Sequence, residues 1–178
     1  MNINTENLDK ICEQWASIDG YVNYEVSWFG RVRNATTGRI LKNTLNTQGY
    51  FVVGLSKNKK NKTHTVHQLV AHEWVGNPEE KRCVDHRDGD RTNNNHENLR
   101  YATHSENNRN AKNRTDCSSV YKGMCWNKLE KKWLARCVID GKQKSLGYYT
   151  SEREAAEAYN AAAVEFYKEF AKVNIFED

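Results

Sequence analysis

Four polar residues in the middle of the chain have the types and the spacing that metal-assisted hydrolysis requires. Asp85 directly precedes His86, Asn98 follows twelve residues later, and Asn107 lies nine residues beyond that. Together they offer a hard oxygen ligand, a general base, an orienting amide and a second oxygen ligand. Hydrolysis of a phosphodiester needs such a set, because a base must deprotonate water while a metal stabilises charge on the phosphate and the leaving 3′ oxygen. Oxygen ligands favour magnesium or manganese over structural zinc.

The elements around these residues are predicted to be short. Eight asparagines lie between residues 93 and 113, a composition typical of a disordered linker. The order of the elements argues against disorder: strand 83–84, turn 88–90, strand 99–101, and a helix start with a capping box of Thr103 and Glu106. A hairpin crossed by a helix would bring the four polar residues together.

Residues 82–114 also resemble the HNH nuclease motif, in the variant whose third letter is asparagine, found in intron-encoded homing endonucleases of bacteriophages. The resemblance rests on D-H-x-D-G, N-N, N-L-R and E-N at matching spacings. It implies that His86 is the general base and that Asp85 and Asn107 hold the metal. It further implies that Asn98 braces the hairpin and orients the base. His104, one helical turn before Asn107, is an alternative ligand that this spacing does not favour.

The first region, residues 12–80, is predicted to be rich in β-strands. Alternation indicates strands at 24–27 and 31–33, a more apolar strand at 49–55, and a basic loop at 57–62. A helix should begin after Thr65, with Gln68 completing a capping box. The pattern W-x-x-I-x-G-Y-x-x-Y-x-V-S-x-x-G-x-V-R, with a later V-H-x-L-V-A, resembles the DNA-binding segment that precedes HNH in those nucleases.

The third region, residues 117–176, is predicted as three strands and a helix. The strands are 120–126, 133–139 and 142–149, with Asp140-Gly141 as a hairpin turn. The helix follows Ser151, with an apolar stripe at helical spacing formed by Ala155, Ala158, Tyr159, Ala162, Phe166 and Phe170.

The third region resembles the Apetala/ethylene-response-factor DNA-binding domain. The resemblance rests on V-Y-K-G-M, K-W-L-A-R, L-G-Y-Y and the alanine-rich helix. That resemblance implies a sheet that lies in the major groove, with Trp133 and Tyr159 in the core behind it. The residues implied to face DNA are Lys122, Trp126, Asn127, Arg136, Gln143 and Ser145.

Charge is concentrated in two segments. Residues 26–62 hold eight basic residues and no acidic one, a net charge of +8, and residues 117–150 carry +5. Residues 151–178 carry −4. Two basic segments indicate a polyanion partner, although each could also be a solvated face. The contacts expected from the first segment are Arg31, Arg33, Lys57, Lys59 and Lys60.

The remaining features exclude several classes of protein. Five cysteines, an odd number without a Cys-x-x-Cys pair, predict neither a disulfide framework nor a cysteine zinc site, and favour an intracellular setting. No apolar run is long enough to span a membrane, and the first ten residues lack the pattern of a secretory signal. His96 is expected to be solvated, and His67 and His72 to pack or to contact DNA.

We therefore expect an α+β fold in three modules: a β-rich DNA-binding segment (12–80), a ββα-metal HNH nuclease centre (81–114) and a DNA-binding domain with a three-stranded antiparallel sheet packed on one helix (117–176). The expected function is a site-specific, metal-dependent DNA endonuclease of the homing type, acting on double-stranded DNA as a monomer or a dimer. The alternatives are a non-catalytic DNA-binding regulator with a degenerate centre, and a general nuclease of defence or DNA packaging.

Overall fold

A computed structural model describes residues 13–111 and 118–176. The chain divides into two compact units, Met1–Ala102 and Thr103–Asp178. The predicted division into three modules stays a prediction, and its limits at residues 12, 114 and 117 lie outside the described residues. No helix in the described part of the chain is long and apolar enough to cross a membrane.

The described part of the first unit, residues 13–102, contains three small antiparallel sheets and one α-helix. Strands β1 (Trp15–Ile18), β2 (Tyr21–Ser27) and β3 (Val32–Asn34) form the first sheet in that order. The second sheet consists of β4 (Thr44–Leu45), β5 (Phe51–Lys57) and β6 (Lys60–Thr65), and is followed directly by helix α1 (Val66–Trp74). Strand β7 (Cys83–His86) pairs with β8 (Leu99–Ala102) in the third sheet. A 3-10 helix (His96–Asn98) lies directly before β8.

Helix α1 is the central element of this unit. Its buried side chains, Val66, Leu69 and Val70 among them, join one apolar cluster with residues of the first two sheets and with Leu99 of β8. The predicted helix start is confirmed, but the predicted cap is not formed. The Thr65 hydroxyl donates to Gln68 Oε1 at 2.6 Å instead of accepting a backbone amide.

The predicted basic loop 57–62 is largely strand. Pairing of β5 with β6 runs to Lys57 and Lys60, which leaves only Asn58 and Lys59 as the turn, both with positive φ (52° and 62°). Such a turn fits the twist of a two-residue hairpin. Alternation failed to reveal β6 because it is an edge strand whose first four residues are all exposed.

The second unit begins with helix α2 (His104–Asn110). Its capping box is confirmed, since Thr103 Oγ1 accepts from the Glu106 amide (3.2 Å) and Glu106 accepts from the Thr103 amide (2.7 Å). Strands β9 (Met124–Asn127), β10 (Lys132–Ile139) and β11 (Lys142–Tyr149) form an antiparallel sheet in the order β11-β10-β9. Helix α3 (Glu152–Tyr167) and a 3-10 helix (Lys168–Phe170) follow.

Helix α3 packs on the sheet mainly through alanines, which let the two backbones approach closely. The predicted stripe is wrong at one position, because Tyr167 is 6% exposed and Phe166 is 37% exposed. The Tyr167 hydroxyl accepts the backbone amide of Val138 at 2.8 Å, beyond the point where β9 ends its pairing with β10. The phenol thus satisfies a strand edge that phenylalanine could not.

Gly123 lies in a close approach to the core of the second unit. Its φ is +86°, and a β-carbon there would lie 1.9 Å from the buried ring of Tyr159. Gly123→Ala should therefore lower the free energy of unfolding by about 2–5 kcal/mol, from overpacking together with left-handed strain. Urea unfolding followed by fluorescence measures this change. Gly141→Ala is the control, with φ +74° and no described atom within 4 Å of its β-carbon; equal losses in both variants would contradict the packing argument.

Candidate active site

The hairpin of β7 and β8 positions the candidate catalytic pair. Asp85 lies opposite Arg100 and His86 lies opposite Leu99, at the end of β7. Both candidate side chains are only 5% exposed. Because burying a polar or charged group without a partner is costly, such residues must be held by hydrogen bonds.

Asp85 is held by the guanidinium of Arg100 on the facing strand. Its Oδ2 accepts from Arg100 Nε at 2.9 Å and lies 2.7 Å from Nη2. Arg100 is itself buried, so the two charges compensate each other out of water. The sequence contained this arginine in its N-L-R motif, but nothing in the spacing assigned it to Asp85.

His86 is held from the loop that joins the two strands. Its Nε2 lies 3.1 Å from Oδ1 of Asn94, which is also buried. The resemblance had assigned orientation of the base to Asn98. In the structure Asn94 makes a hydrogen bond to the ring, and the side-chain contacts of Asn98 are with Asp88 and Asn93.

Asn98 braces the loop, as the resemblance implied. Its Oδ1 accepts the Asp88 amide (3.1 Å), and its Nδ2 donates to Asp88 Oδ1 (3.0 Å) and to the Asn93 carbonyl (2.8 Å). Burial raises the pKa of Asp88, but hydrogen bonds from the Asp90 amide and from Asn93 and Asn98 outweigh it, and the net shift is downward. The loop is thus tied around one carboxylate.

His67 is a neighbour of the candidate base that the sequence did not assign to the site. It is buried on α1, and its ring centroid lies 5.2 Å from that of His86 in an edge-on arrangement. Tyr50 lies 4.8 Å from His67 and 6.0 Å from His86, and the Arg91 guanidinium stacks over Tyr50 at 4.9 Å. Burial, and then the nearby His86, lower the pKa of His67 to about 4. His67 is therefore neutral at pH 7.

Asn107 belongs to the second unit, in the middle of α2, where its amide donates to the Thr103 carbonyl. Its role as the second metal ligand stays a prediction, as does the alternative role of His104. Among the described residues no group of three or more His, Cys, Asp or Glu side chains could hold a metal ion.

The five basic residues expected at DNA in the first unit divide into two groups. Arg31 pairs with Glu13 and Arg33 with Glu25, and both guanidinium groups lie over the ring of Trp15. Their charges are thus partly compensated. The other three, Lys57, Lys59 and Lys60, are exposed at the tip of the β5–β6 hairpin.

Four of the residues expected at DNA in the second unit share the sheet face that points away from α3. The register and the side-chain contacts place Asn127, Arg136, Gln143 and Ser145 there. Arg136 donates from Nη1 (3.2 Å) and Nε (3.3 Å) to the Gln143 amide oxygen. Asn127 Nδ2 lies 3.5 Å from the hydroxyl of Tyr148.

Lys122 and Trp126 have other positions than the resemblance implied. The Lys122 ammonium donates to the carbonyls of Asn108, Arg109 and Ala111, where it caps the C-terminal end of α2. Burial, and then Lys172, lower its pKa to about 8. Trp126 pairs directly with Trp133, so it lies on the same face as that residue, the face toward α3. These contacts disfavour a DNA-facing role for both side chains.

His96 was expected to be solvated, and this expectation is wrong. Its ring stacks on Trp28 with centroids 5.4 Å apart and planes within 7°, and its amide donates to the Trp28 carbonyl at 2.8 Å. Stacking on an aromatic ring 68 residues away in the chain left no local pattern that could have revealed it.

Comparison with known proteins extends this picture. Residues 13–56 match the NUMOD4 motif, and residues 64–109 match the HNH endonuclease family. A solved structure described as DNA binding and cleavage by the HNH homing endonuclease I-HmuI is similar at 30% identity and TM-score 0.53, over 87% of this chain and 91% of that one. The chain belongs to the HNH homing endonuclease family.

Curated relatives match between 51% and 58% of this chain. DNA endonuclease I-HmuI of Bacillus phage SP01 is 42% identical over 91 residues, which is 51% of this chain and 52% of that protein. Two uncharacterized HNH endonucleases of Acanthamoeba polyphaga mimivirus are 39% and 43% identical, over 53% and 58% of this chain. The matches span only 28% and 27% of the length of those two relatives. The two family matches end at residue 109, and the Apetala-type resemblance of the second unit stays a prediction.

The lowered pKa of His67 predicts acid sensitivity of the fold. Between pH 6.5 and about 4 the unfolded chain binds a proton at this histidine that the folded chain resists. The free energy of unfolding should therefore fall by up to about 3 kcal/mol as the pH drops through this window. His67→Phe, which cannot titrate, should flatten this part of the profile in urea unfolding at several pH values. His72→Phe, at an exposed histidine of the same helix, should not; parallel profiles for all three proteins would contradict the assignment.

Proposed function

We propose that this protein is a site-specific DNA endonuclease of the homing type, which hydrolyses phosphodiester bonds with one divalent metal ion. The observation that carries the proposal is the pair Asp85 and His86, consecutive residues that are both buried at the end of β7, each with a partner of its own. A purely structural role would not require an acid and an imidazole, next to each other in the chain, to be buried and oriented at a strand end.

In this proposal His86 removes a proton from the attacking water as the water oxygen bonds to phosphorus. The bond from phosphorus to the 3′ oxygen breaks, and the leaving oxygen takes a proton from solvent. Asn98 keeps the loop in the shape that presents His86, through its bonds to Asp88 and Asn93. The geometry supplies orientation, which is a large part of the rate enhancement in such reactions.

The proposed metal is magnesium or manganese, held by Asp85 and Asn107. The residues fit such an ion, because carboxylate and amide oxygens are hard donors. When bound, the metal supplies a positive charge against the charge that develops on the phosphate and the leaving oxygen. Arg100 keeps the Asp85 carboxylate fixed toward one side of the hairpin.

Double-stranded DNA is the proposed partner. Three exposed lysines share the tip of one hairpin, and Lys57 lies directly opposite Lys60. A bound polyanion would relieve the repulsion between these like charges. The outward sheet face of the second unit, with Asn127, Arg136, Gln143 and Ser145, supports a second DNA-binding surface of the Apetala type. We further propose an intracellular setting and action as a monomer or a dimer on DNA.

The second candidate function is a non-catalytic DNA-binding regulator. The ion pair between Asp85 and Arg100 favours it, because a guanidinium on the carboxylate competes with a metal ion. The orientation of His86 has no purpose in such a protein, so the nuclease remains the better supported function.

A supercoiled plasmid that carries the target site separates the two functions. We expect nicked or linear DNA with magnesium and intact plasmid with EDTA. His86→Ala should lower the cleavage rate by about 10²–10⁴-fold, the usual scale for loss of a general base, with DNA affinity nearly unchanged. His72→Ala, at an exposed histidine of α1, is the control. Cutting by His86→Ala within a few-fold of the unmodified protein would exclude His86 as the base.

The hairpin tip generates a prediction about salt. Lys59→Gln should reduce the slope of log binding constant against log salt by about 0.9, the value for one lost phosphate contact on duplex DNA. Fluorescence anisotropy with a labelled duplex at several salt concentrations measures the slope. Lys81→Gln serves as the control, because Lys81 pairs with Glu79 outside the basic segment. An unchanged slope in Lys59→Gln would remove this residue from the DNA interface.

A further inference from the structure

We infer that Asn94 is the positioning residue of His86, and that Gly30 of the N-terminal segment holds Asn94 in place. This inference deepens the proposed nuclease function and rests on it for its catalytic consequence. Its structural part, the state of the His86 ring, can be measured without any cleavage.

The amide of Asn94 determines which ring nitrogen of His86 carries the proton. Asn94 Nδ2 donates to the Thr92 carbonyl (3.3 Å), so its Oδ1 is the atom that faces His86 Nε2 at 3.1 Å. A carbonyl oxygen can only accept, and therefore Nε2 of the neutral ring must carry the hydrogen. The lone pair of the neutral ring is then at Nδ1, and in the proposed reaction this nitrogen takes the proton from water.

Gly30 fixes the position of Asn94. A β-carbon on Gly30 would lie 2.7 Å from Cβ of Asn94 and 3.3 Å from its carbonyl oxygen. The backbone of Gly30, at φ +83°, thus lies where only a residue without a side chain permits the approach. Gly30 belongs to the turn between β2 and β3, far from the catalytic residues in the chain.

A second contact from the same turn holds the loop beside Asn94. The Trp28 carbonyl accepts the His96 amide at 2.8 Å, and the two rings stack. The turn at residues 28–30 therefore contacts the loop on both sides of Asn95. The N-terminal segment acts in this way as part of the catalytic scaffold, in addition to any contact with DNA.

Asn94 and Asn98 consequently have separate tasks. Asn98 shapes the loop through Asp88 and Asn93, whereas Asn94 contacts the imidazole directly. Loss of Asn98 should alter the loop as a whole, while loss of the Asn94 oxygen should alter the ring of His86 alone.

The test compares Asn94→Leu, which keeps the shape but not the acceptor, with Asn94→Asp, which keeps the acceptor oxygen. Nitrogen-15 spectra of the histidine rings report the protonated nitrogen, and His86→Gln assigns the signal. We expect the Nε2–H form in the unmodified protein and in Asn94→Asp, and its loss in Asn94→Leu. Asn95→Ala, which removes only a local contact to the Glu97 amide, is the matched control.

Cleavage should follow the ring. In Asn94→Leu we expect kcat to fall about 10- to 100-fold, the usual effect of losing the partner of a functional histidine, with KM and DNA affinity unchanged. Asn94→Asp should restore part of the rate. Gly30→Ala should mimic Asn94→Leu in spectrum and rate, while Gly38→Ala, with φ +69° and no described atom within 4 Å of its β-carbon, should not.

The outcomes separate the two levels of the proposal. An Nδ1–H ring in the unmodified protein, or an unchanged ring in Asn94→Leu, overturns the inference whatever the activity. The expected ring states without any metal-dependent cutting of DNA support the positioning role and refute the proposed nuclease. Cutting by folded Asn94→Leu at the unmodified rate overturns the catalytic part of the inference.

Discussion

The burial of two polar neighbours, Asp85 and His86, is the constraint on which the first unit depends. Neighbouring residues of a strand point to opposite faces, so a single partner cannot serve both. Arg100 from the facing strand compensates the carboxylate, and Asn94 from the connecting loop holds the imidazole. Arg100 and Asn94 are themselves buried, so their own polar groups also need hydrogen-bond partners.

The hairpin that carries this pair cannot hold itself together by apolar contacts. Between residues 83 and 102 only Leu99 and Ala102 are fully buried apolar residues, and a two-stranded hairpin is marginal in water. Leu99 joins the cluster built by α1 and the sheets before it, and Trp28 of the first sheet stacks on His96. The first two sheets and the β7–β8 hairpin therefore share one core. The placement of both within one compact unit follows from this dependence.

Sequence reasoning succeeded where the information is local. The capping box at Thr103, the turn at Asp140-Gly141 and the bracing role of Asn98 each depend on residues a few positions apart. The roles of His67 and Asn94 could not be found in this way, because contacts between α1, the β2–β3 turn and the loop leave no period in the sequence. The choice of Tyr167 over Phe166 likewise depends on an amide of another element. The position of Lys122 was wrongly predicted, because the local sequence does not distinguish a lysine that caps a helix from one that binds phosphate.

The net charge of segment 26–62 indicated a polyanion partner, but it overstated how many of the basic side chains are unpaired with an acid. Two of the eight basic residues in segment 26–62 are paired, Arg31 with Glu13 and Arg33 with Glu25. Both glutamates precede the segment in the chain, so its net charge of +8 does not count them. Ion pairs with glutamate weaken attraction for phosphate, since the carboxylate repels it at short range. The lysines at the β5–β6 tip have like-charged neighbours instead, which lowers the stability of the hairpin in the absence of an anion. A site that is destabilised alone and relieved by a polyanion gains affinity from that relief, so the tip, rather than the paired Arg31 and Arg33, is where electrostatic binding energy in the first unit should concentrate.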